Sequence, residues 1–155
     1  MKQLRKFFSL TASDRLLLVK AVFILAVIRV GLKLLPFQQL RRLLAKIAQP
    51  KAKLQAMDEA SVKKVAWAVT VASPYLRAIC LPQALAVQVL LARRGYPTQL
   101  RIGFTRSKSG QMSAHAWVES QGEVVIGGAG NMARFIPIPL QRVESHESSS
   151  WHLFT

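Results

Sequence analysis

Arg77-Ala78-Ile79-Cys80-Leu81-Pro82-Gln83-Ala84-Leu85-Ala86-Val87-Gln88-Val89-Leu90-Leu91-Ala92-Arg93-Arg94-Gly95 holds the only cysteine of the chain. Leu81, Leu85, Val89 and Ala92 recur at helical spacing. Pro82 suits a first helical turn, where a missing N–H costs nothing. Arg93 and Arg94 suit a last turn, and Gly95 supplies the stop. The pattern therefore places Cys80 at or just before a helix N-terminus. Unpaired N–H groups and the macrodipole favour an anion there, so a lowered thiol pKa and a usable nucleophile are expected.

A lone cysteine is more often a small buried hydrophobe than a nucleophile. His115 changes the balance. It lies in Ser113-Ala114-His115-Ala116-Trp117-Val118-Glu119, which reads as a strand. His115, Trp117 and Glu119 share one face of it, and Ala114, Ala116 and Val118 the other. A histidine there is an ordinary core residue when taken alone. Paired with a helix-start cysteine, it gives the arrangement of papain-like and transglutaminase-like enzymes.

Upstream, the pattern is helical. Thr11-Ala12-Ser13-Asp14 offers N-caps for a helix running to about Leu35, before Pro36. Lys20, Arg29 and Lys33 interrupt its apolar run, so it lacks the ~20 uninterrupted apolar residues of a spanning helix. Being apolar nearly all round, it reads as a helix buried or in contact with a partner, or one lying on a membrane. Burial or partner contact is favoured, because the charges are few and not gathered on one face. A second helix is expected over Phe37 to Ala48, with Leu40, Leu43, Leu44 and Ile47 inward. A basic connector, Gln49-Pro50-Lys51-Ala52-Lys53, follows it. A third helix, capped by Asp58 or Ser61, is expected to end near Ser73-Pro74. Val62, Val65, Trp67 and Val69 are its apolar positions, with Trp67 in the core.

Downstream, the period changes to two. Strands are expected over Thr98–Phe104, Ala114–Ser120 and Glu123–Ile126, with a loop from Thr105 to Met112 and a Gln121-Gly122 turn. Gly127-Gly128-Ala129-Gly130-Asn131 is a flexible loop without the features of a phosphate loop. Phe135–Leu140 is an extended edge, because of its prolines. Trp151 and Phe154 could dock a tail that otherwise frays. Helices first and strands after predict an α+β fold with an antiparallel sheet. The expected regions are 1–50 (helical), 51–142 (the cysteine–histidine core) and 143–155 (a tail).

The chain has 155 residues, 51% of them hydrophobic, enough for one domain with a real core. One cysteine excludes an internal disulfide framework and fits a reducing compartment. The net charge of +15, from 22 Lys and Arg against 7 Asp and Glu, implies an acidic partner: nucleic acid, an anionic membrane surface, or an acidic peptide or protein. Three scattered histidines and one cysteine show no metal-ligand spacing, and no cofactor is expected.

The block from Cys80-Leu81-Pro82-Gln83-Ala84-Leu85 to Arg93-Arg94-Gly95, with Ala114-His115-Ala116-Trp117-Val118-Glu119, resembles the leader peptidase of lasso-peptide biosynthesis. This is the transglutaminase-like B protein, in the form split from its leader-recognition domain, and the resemblance extends over most of the chain. It implies N-terminal helices followed by a transglutaminase-like core, and a cytoplasmic bacterial cysteine peptidase. Such an enzyme removes the leader from a ribosomally made precursor peptide. A separate leader-binding protein and a macrolactam cyclase are the implied partners, peripheral membrane contact is left open, and nucleic acid is not expected. Cys80 would be the nucleophile and His115 the general base, with the Cys80 backbone N–H and the Gln83 side chain as oxyanion donors. Arg93, Arg94, Arg101 and Arg106 are candidates for holding an acidic leader. The competing functions are a non-enzymatic basic module binding a membrane or another partner, and a transglutaminase-like acyl transferase.

The third catalytic member is where the sequence departs from that family. The family often has an Asp on the strand after the histidine strand. A two-residue Gln121-Gly122 turn pairs Ser120 with Glu123 and puts Gly128 opposite His115, so the expected acidic position falls at Gly127 or Gly128. Glu119 is ~13 Å from His115 along the strand, too far for contact. Asn131 is a candidate orienter, although an ordinary loop asparagine is the simpler account of it. Otherwise the site works as a Cys–His dyad, or a backbone carbonyl or a partner completes it, or it is weak alone.

Overall fold

The structure is a computed structural model that describes residues 10–49, 58–106, 108, 110–128 and 134–138. Asn131, the connector at 50–57 and the tail with Trp151 and Phe154 lie outside the described residues. Helix α1 spans Ala12–Leu34. Its cap is Thr11, whose Oγ1 accepts from the Asp14 N–H and donates to the Asp14 carboxylate at 2.8 Å. Helix α2 spans Phe37–Ile47 and α3 spans Glu59–Ala72. Asp58 caps α3, accepting from the N–H groups of Ala60 and Ser61. A 3-10 turn at Ser73–Leu76 leads into α4, Cys80–Ala92. Arg93, Arg94 and Gly95 form the turn after α4, and Gly95 adopts φ +80°.

The four strands are β1 (Gln99–Arg106), β2 (Met112–Ser120), β3 (Glu123–Ile126) and β4 (Ile136–Ile138). They form one antiparallel sheet in the order β3-β2-β1-β4. The expected α+β architecture holds, with helices first and a small antiparallel sheet after. The β1–β2 hairpin reaches further than its polar sequence suggests. Thr105 pairs with Ser113 and Arg106 with Met112, so the expected loop at Thr105–Met112 gives both its ends to the ladder. β4 is the edge strand its prolines predict, with Ile102 opposite Ile138.

A single core joins α1–α4 to one face of the sheet. Leu25 and Ile28 of α1, Phe37 and Leu40 of α2, and Val65 and Val69 of α3 are fully buried. Leu81, Leu85 and Leu91 of α4 meet Ile102 and Val118 of the sheet in the same core. Two expected core residues are exposed: Leu43 and Trp67. Trp67 lies two positions beyond Val65, about 200° around the helix, and so faces away from the Val62–Val65–Val69 stripe. Leu43 sits at the margin of the stripe that Leu40 and Leu44 define at i and i+4. Helix α1 has one face buried in the core, as favoured, and its opposite face is apolar and open to solvent.

The β2–β3 turn is as expected, with positive φ at Gln121 and Gly122 and Ser120 opposite Glu123. Beyond it the register departs from the simple ladder. A bulge between Val118 and Glu119 puts Val118 opposite Ile126. One residue is gained on β3, and Gly127 comes beside Trp117.

Candidate active site

Cys80 is the first residue of α4. Its N-cap, Ile79, has no side-chain oxygen, so no capping hydrogen bond takes up the N–H groups of the first turn. The N–H groups of Cys80 and Leu81 turn to the thiol instead, and that of Ala116 on β2 reaches it from the sheet. These three donors pull the thiol pKa down, but burial outweighs them and holds it above its ordinary value. The expectation of a lowered pKa at the helix start is therefore corrected. The sheet packed over the helix end removes the water that would solvate a thiolate.

His115 lies on the β2 face turned away from the helical core, with Trp117 and Glu119. Its Nε2 is 2.6 Å from the carbonyl oxygen of Gly127. A carbonyl only accepts, so Nε2 carries the hydrogen of the neutral ring and Nδ1 keeps its lone pair. The ring sits between Trp117 (centroids 6.2 Å apart, stacked) and Phe135 (5.1 Å apart, tilted). Trp117 is held in turn: its Nε1–H donates to Glu119 Oε1 at 2.8 Å, and Arg101 Nε–H donates to Glu119 Oε2 at 3.1 Å. These two donors, Trp117 first, keep the Glu119 carboxyl below the usual range.

The position expected to bear an acid thus offers a main-chain oxygen. Gly127 has φ +84°, and a Cβ there would stand 2.7 Å from the Ala116 carbonyl oxygen. Only glycine fits so tight a passage. Because of the bulge, Gly128 is not brought opposite His115 as a regular ladder would have it. The Ala116 N–H and C=O point to the same edge of β2, as they do in any strand. The thiol meets the N–H, and Gly127 lies against the C=O. Ala116 is thus the common neighbour: its N–H reaches the thiol, and Gly127, whose carbonyl contacts His115, packs against its C=O. No thiol–imidazole hydrogen bond forms among the described residues.

Gln83 Nε2 donates one hydrogen to the Ala78 carbonyl at 2.9 Å, tying its side chain to the segment before Cys80. Three of the four arginines proposed for an acidic leader also have internal partners. Arg93 donates to the Ile47 carbonyl, Arg94 to the Ser61 carbonyl and Arg101 to Glu119. A cleft of about 460 Å³ lies between α2 and the C-terminal half of α4, lined by Leu44, Leu85, Val89 and Tyr96, at the other end of α4 from the cysteine. Among the described residues no group of His, Cys, Asp or Glu is placed to hold a metal ion.

The stacking of Trp117 on His115, the Phe135 ring beside it, and which carbonyl completes the site are what the sequence left open. The His115-Ala116-Trp117 alternation was a signal for the first. The other two are supplied by long-range pairing. A sequence model of the transglutaminase-like superfamily matches residues 22–139. No curated protein and no solved structure matches the chain.

Proposed function

The chain belongs to the transglutaminase-like superfamily, and from that premise we propose that it is a cysteine peptidase removing the leader of a lasso-peptide precursor. A separate leader-binding protein and a macrolactam cyclase would be its partners. The general chemistry is supported by one observation: the helix-start thiol takes the Ala116 N–H, and Gly127, whose carbonyl holds His115 Nε2, packs against the carbonyl of the same residue. The narrower substrate assignment rests on the resemblance of the Cys80–Gly95 and Ala114–Glu119 blocks.

In this reading the buried thiol stays protonated until His115 Nδ1 accepts its proton. The thiolate attacks the scissile carbonyl carbon and forms a C–S bond. The N–H groups of Cys80 and Leu81, released from the thiol, donate to the oxyanion. The His115 imidazolium then gives its proton to the leaving amine as the C–N bond breaks. Water, deprotonated by His115, hydrolyses the thioester and restores the thiol. The Gly127 carbonyl keeps Nε2–H in place throughout, the orienting role that a side chain has in a conventional triad.

The test is cleavage of a lasso precursor, followed by mass spectrometry, with and without its leader-binding protein. Cys80→Ala and His115→Ala should abolish cleavage, while Asn131→Ala should retain it. Cleavage by Cys80→Ala at the wild-type rate would remove the nucleophile assignment. Incorporation of an added amine in place of hydrolysis would move the reaction to acyl transfer. No cleavage with the partner present would favour a binding module.

A further inference from the structure

Helix α1 has a second apolar stripe opposite the one that enters the core. Leu16, Val19, Phe23, Val30 and Leu34 are all more than half exposed, Phe23 at 68% and Leu34 at 74%. At about 100° per residue these five fall within roughly 60° of arc, and they run about 27 Å along the axis. Lys20 lies along one margin of the stripe, and Arg29 and Lys33 along the other. Near the C-terminal end of α1, Arg29, Val30, Lys33, Tyr75, Leu76 and Arg77 line a cleft of about 300 Å³. Tyr75 above it is 69% exposed. None of Lys20, Arg29, Lys33 and Arg77 is paired with a carboxylate among the described residues. The nearest acid on α1, Asp14, is bound to Lys64.

We propose that α1 docks this stripe into the surface of an anionic phospholipid bilayer, with the Arg29–Lys33–Arg77 cleft receiving a lipid phosphate. A straight apolar strip edged by cations matches the boundary between acyl chains and anionic headgroups along the whole helix. Tyr75 is the kind of amphipathic side chain that lodges at that boundary. A second copy fits less well, since its own cations would oppose these on a chain of net charge +15. The helix lies on the bilayer and does not cross it: no described helix is long and apolar enough to span a membrane. Arg77 is three residues before Cys80, at most about 11 Å of chain. Docking therefore holds the thiol near the lipid surface.

The experiment is co-sedimentation of the full chain with vesicles of phosphatidylcholine, with or without roughly a quarter of phosphatidylglycerol, at about 0.05 M and about 0.5 M salt. The protein should pellet with the anionic vesicles at low salt, and binding should fall about tenfold or more on neutral vesicles or at high salt. Phe23→Ser/Leu34→Ser should lower binding about tenfold, and Arg29→Glu/Lys33→Glu should do so on anionic vesicles only. All four side chains lie outside the buried core, and circular dichroism checks that the fold is kept. Cys80→Ala should pellet like wild type, which separates this result from the fate of the peptidase reading. Failure to pellet at low salt would overturn the proposal. So would binding indifferent to the Phe23→Ser/Leu34→Ser change, or a stable dimer that this change dissociates.

Discussion

Cys80 is held between opposing influences. Three N–H groups favour its thiolate, and burial against β2 opposes it with the larger effect. Alkylation by iodoacetamide should therefore accelerate only at a pH above the ordinary thiol range, and an inflection below that range would mean a preformed thiolate. A raised folded-state pKa also stabilises the fold below the unfolded thiol value, a contribution lost as pH rises through the folded one. Gly127 is the second critical residue. Gly127→Ala should cost about 1–2 kcal/mol or more in urea unfolding, from positive φ together with the collision at the Ala116 oxygen. It should lower activity further than the folded fraction explains, because the carbonyl under His115 moves. Glu119 has its carboxyl pKa depressed by Trp117 and Arg101. Trp117→Phe should move its titration upward by NMR. The stability linked to Glu119 exists above the unfolded carboxyl value and is lost as pH falls through the depressed one, so the variant should lose less on acidification.

At the scale of elements, the bulge in the β2–β3 pair determines the site. Without the shift between Val118 and Glu119, Gly127 would lie opposite Ala116 and its carbonyl would not meet the His115 ring. The turn that starts this pairing contains Gln121 at φ +51°, a poor residue for a left-handed position. Gln121→Asn should stabilise the hairpin by about 0.5 kcal/mol, raising the thermal midpoint without changing register or activity. A fall in the midpoint would mean that the Gln121 side chain has a role the turn geometry does not explain. Helix α4 shows how an apolar segment becomes a site: nine of the twelve side chains after Cys80 are buried, so its start is held against the sheet.

For the whole molecule, α1 belongs to the core that supports α4. Leu25 and Ile28 are fully buried in one cluster with Leu81, Leu85 and Val118. Leu25→Ala, more than 20 residues from any residue of the site in sequence, should cost about 2–5 kcal/mol in denaturant unfolding. Activity per folded molecule should be retained. Such a helix can offer its outer face to a partner only because its inner face is already fixed. The charge of +15 acts on the same scale. Self-repulsion should make the thermal midpoint rise with moderate salt, the opposite sense to the salt effect expected for vesicle binding.

The sequence by itself determined the order of elements, because period and punctuation are local. Leu81, Leu85 and Val89 marked α4, Pro36 closed α1, Asp58 started α3, and Gln121-Gly122 closed the β2–β3 hairpin. Cys80 and His115 were legible as residue types in those local settings, and the glycines at 127 and 128 as the lack of an expected acid. Only tertiary structure decided what replaces that acid. A bulge and a positive φ turned a main-chain oxygen toward His115, and no residue-type pattern encodes a carbonyl. Only tertiary structure set the direction of the Cys80 shift, because burial depends on what packs over the helix end. It also decided which apolar face of α1 is core and which is surface, since a helix apolar on both sides specifies two contacts and its own sequence does not rank them.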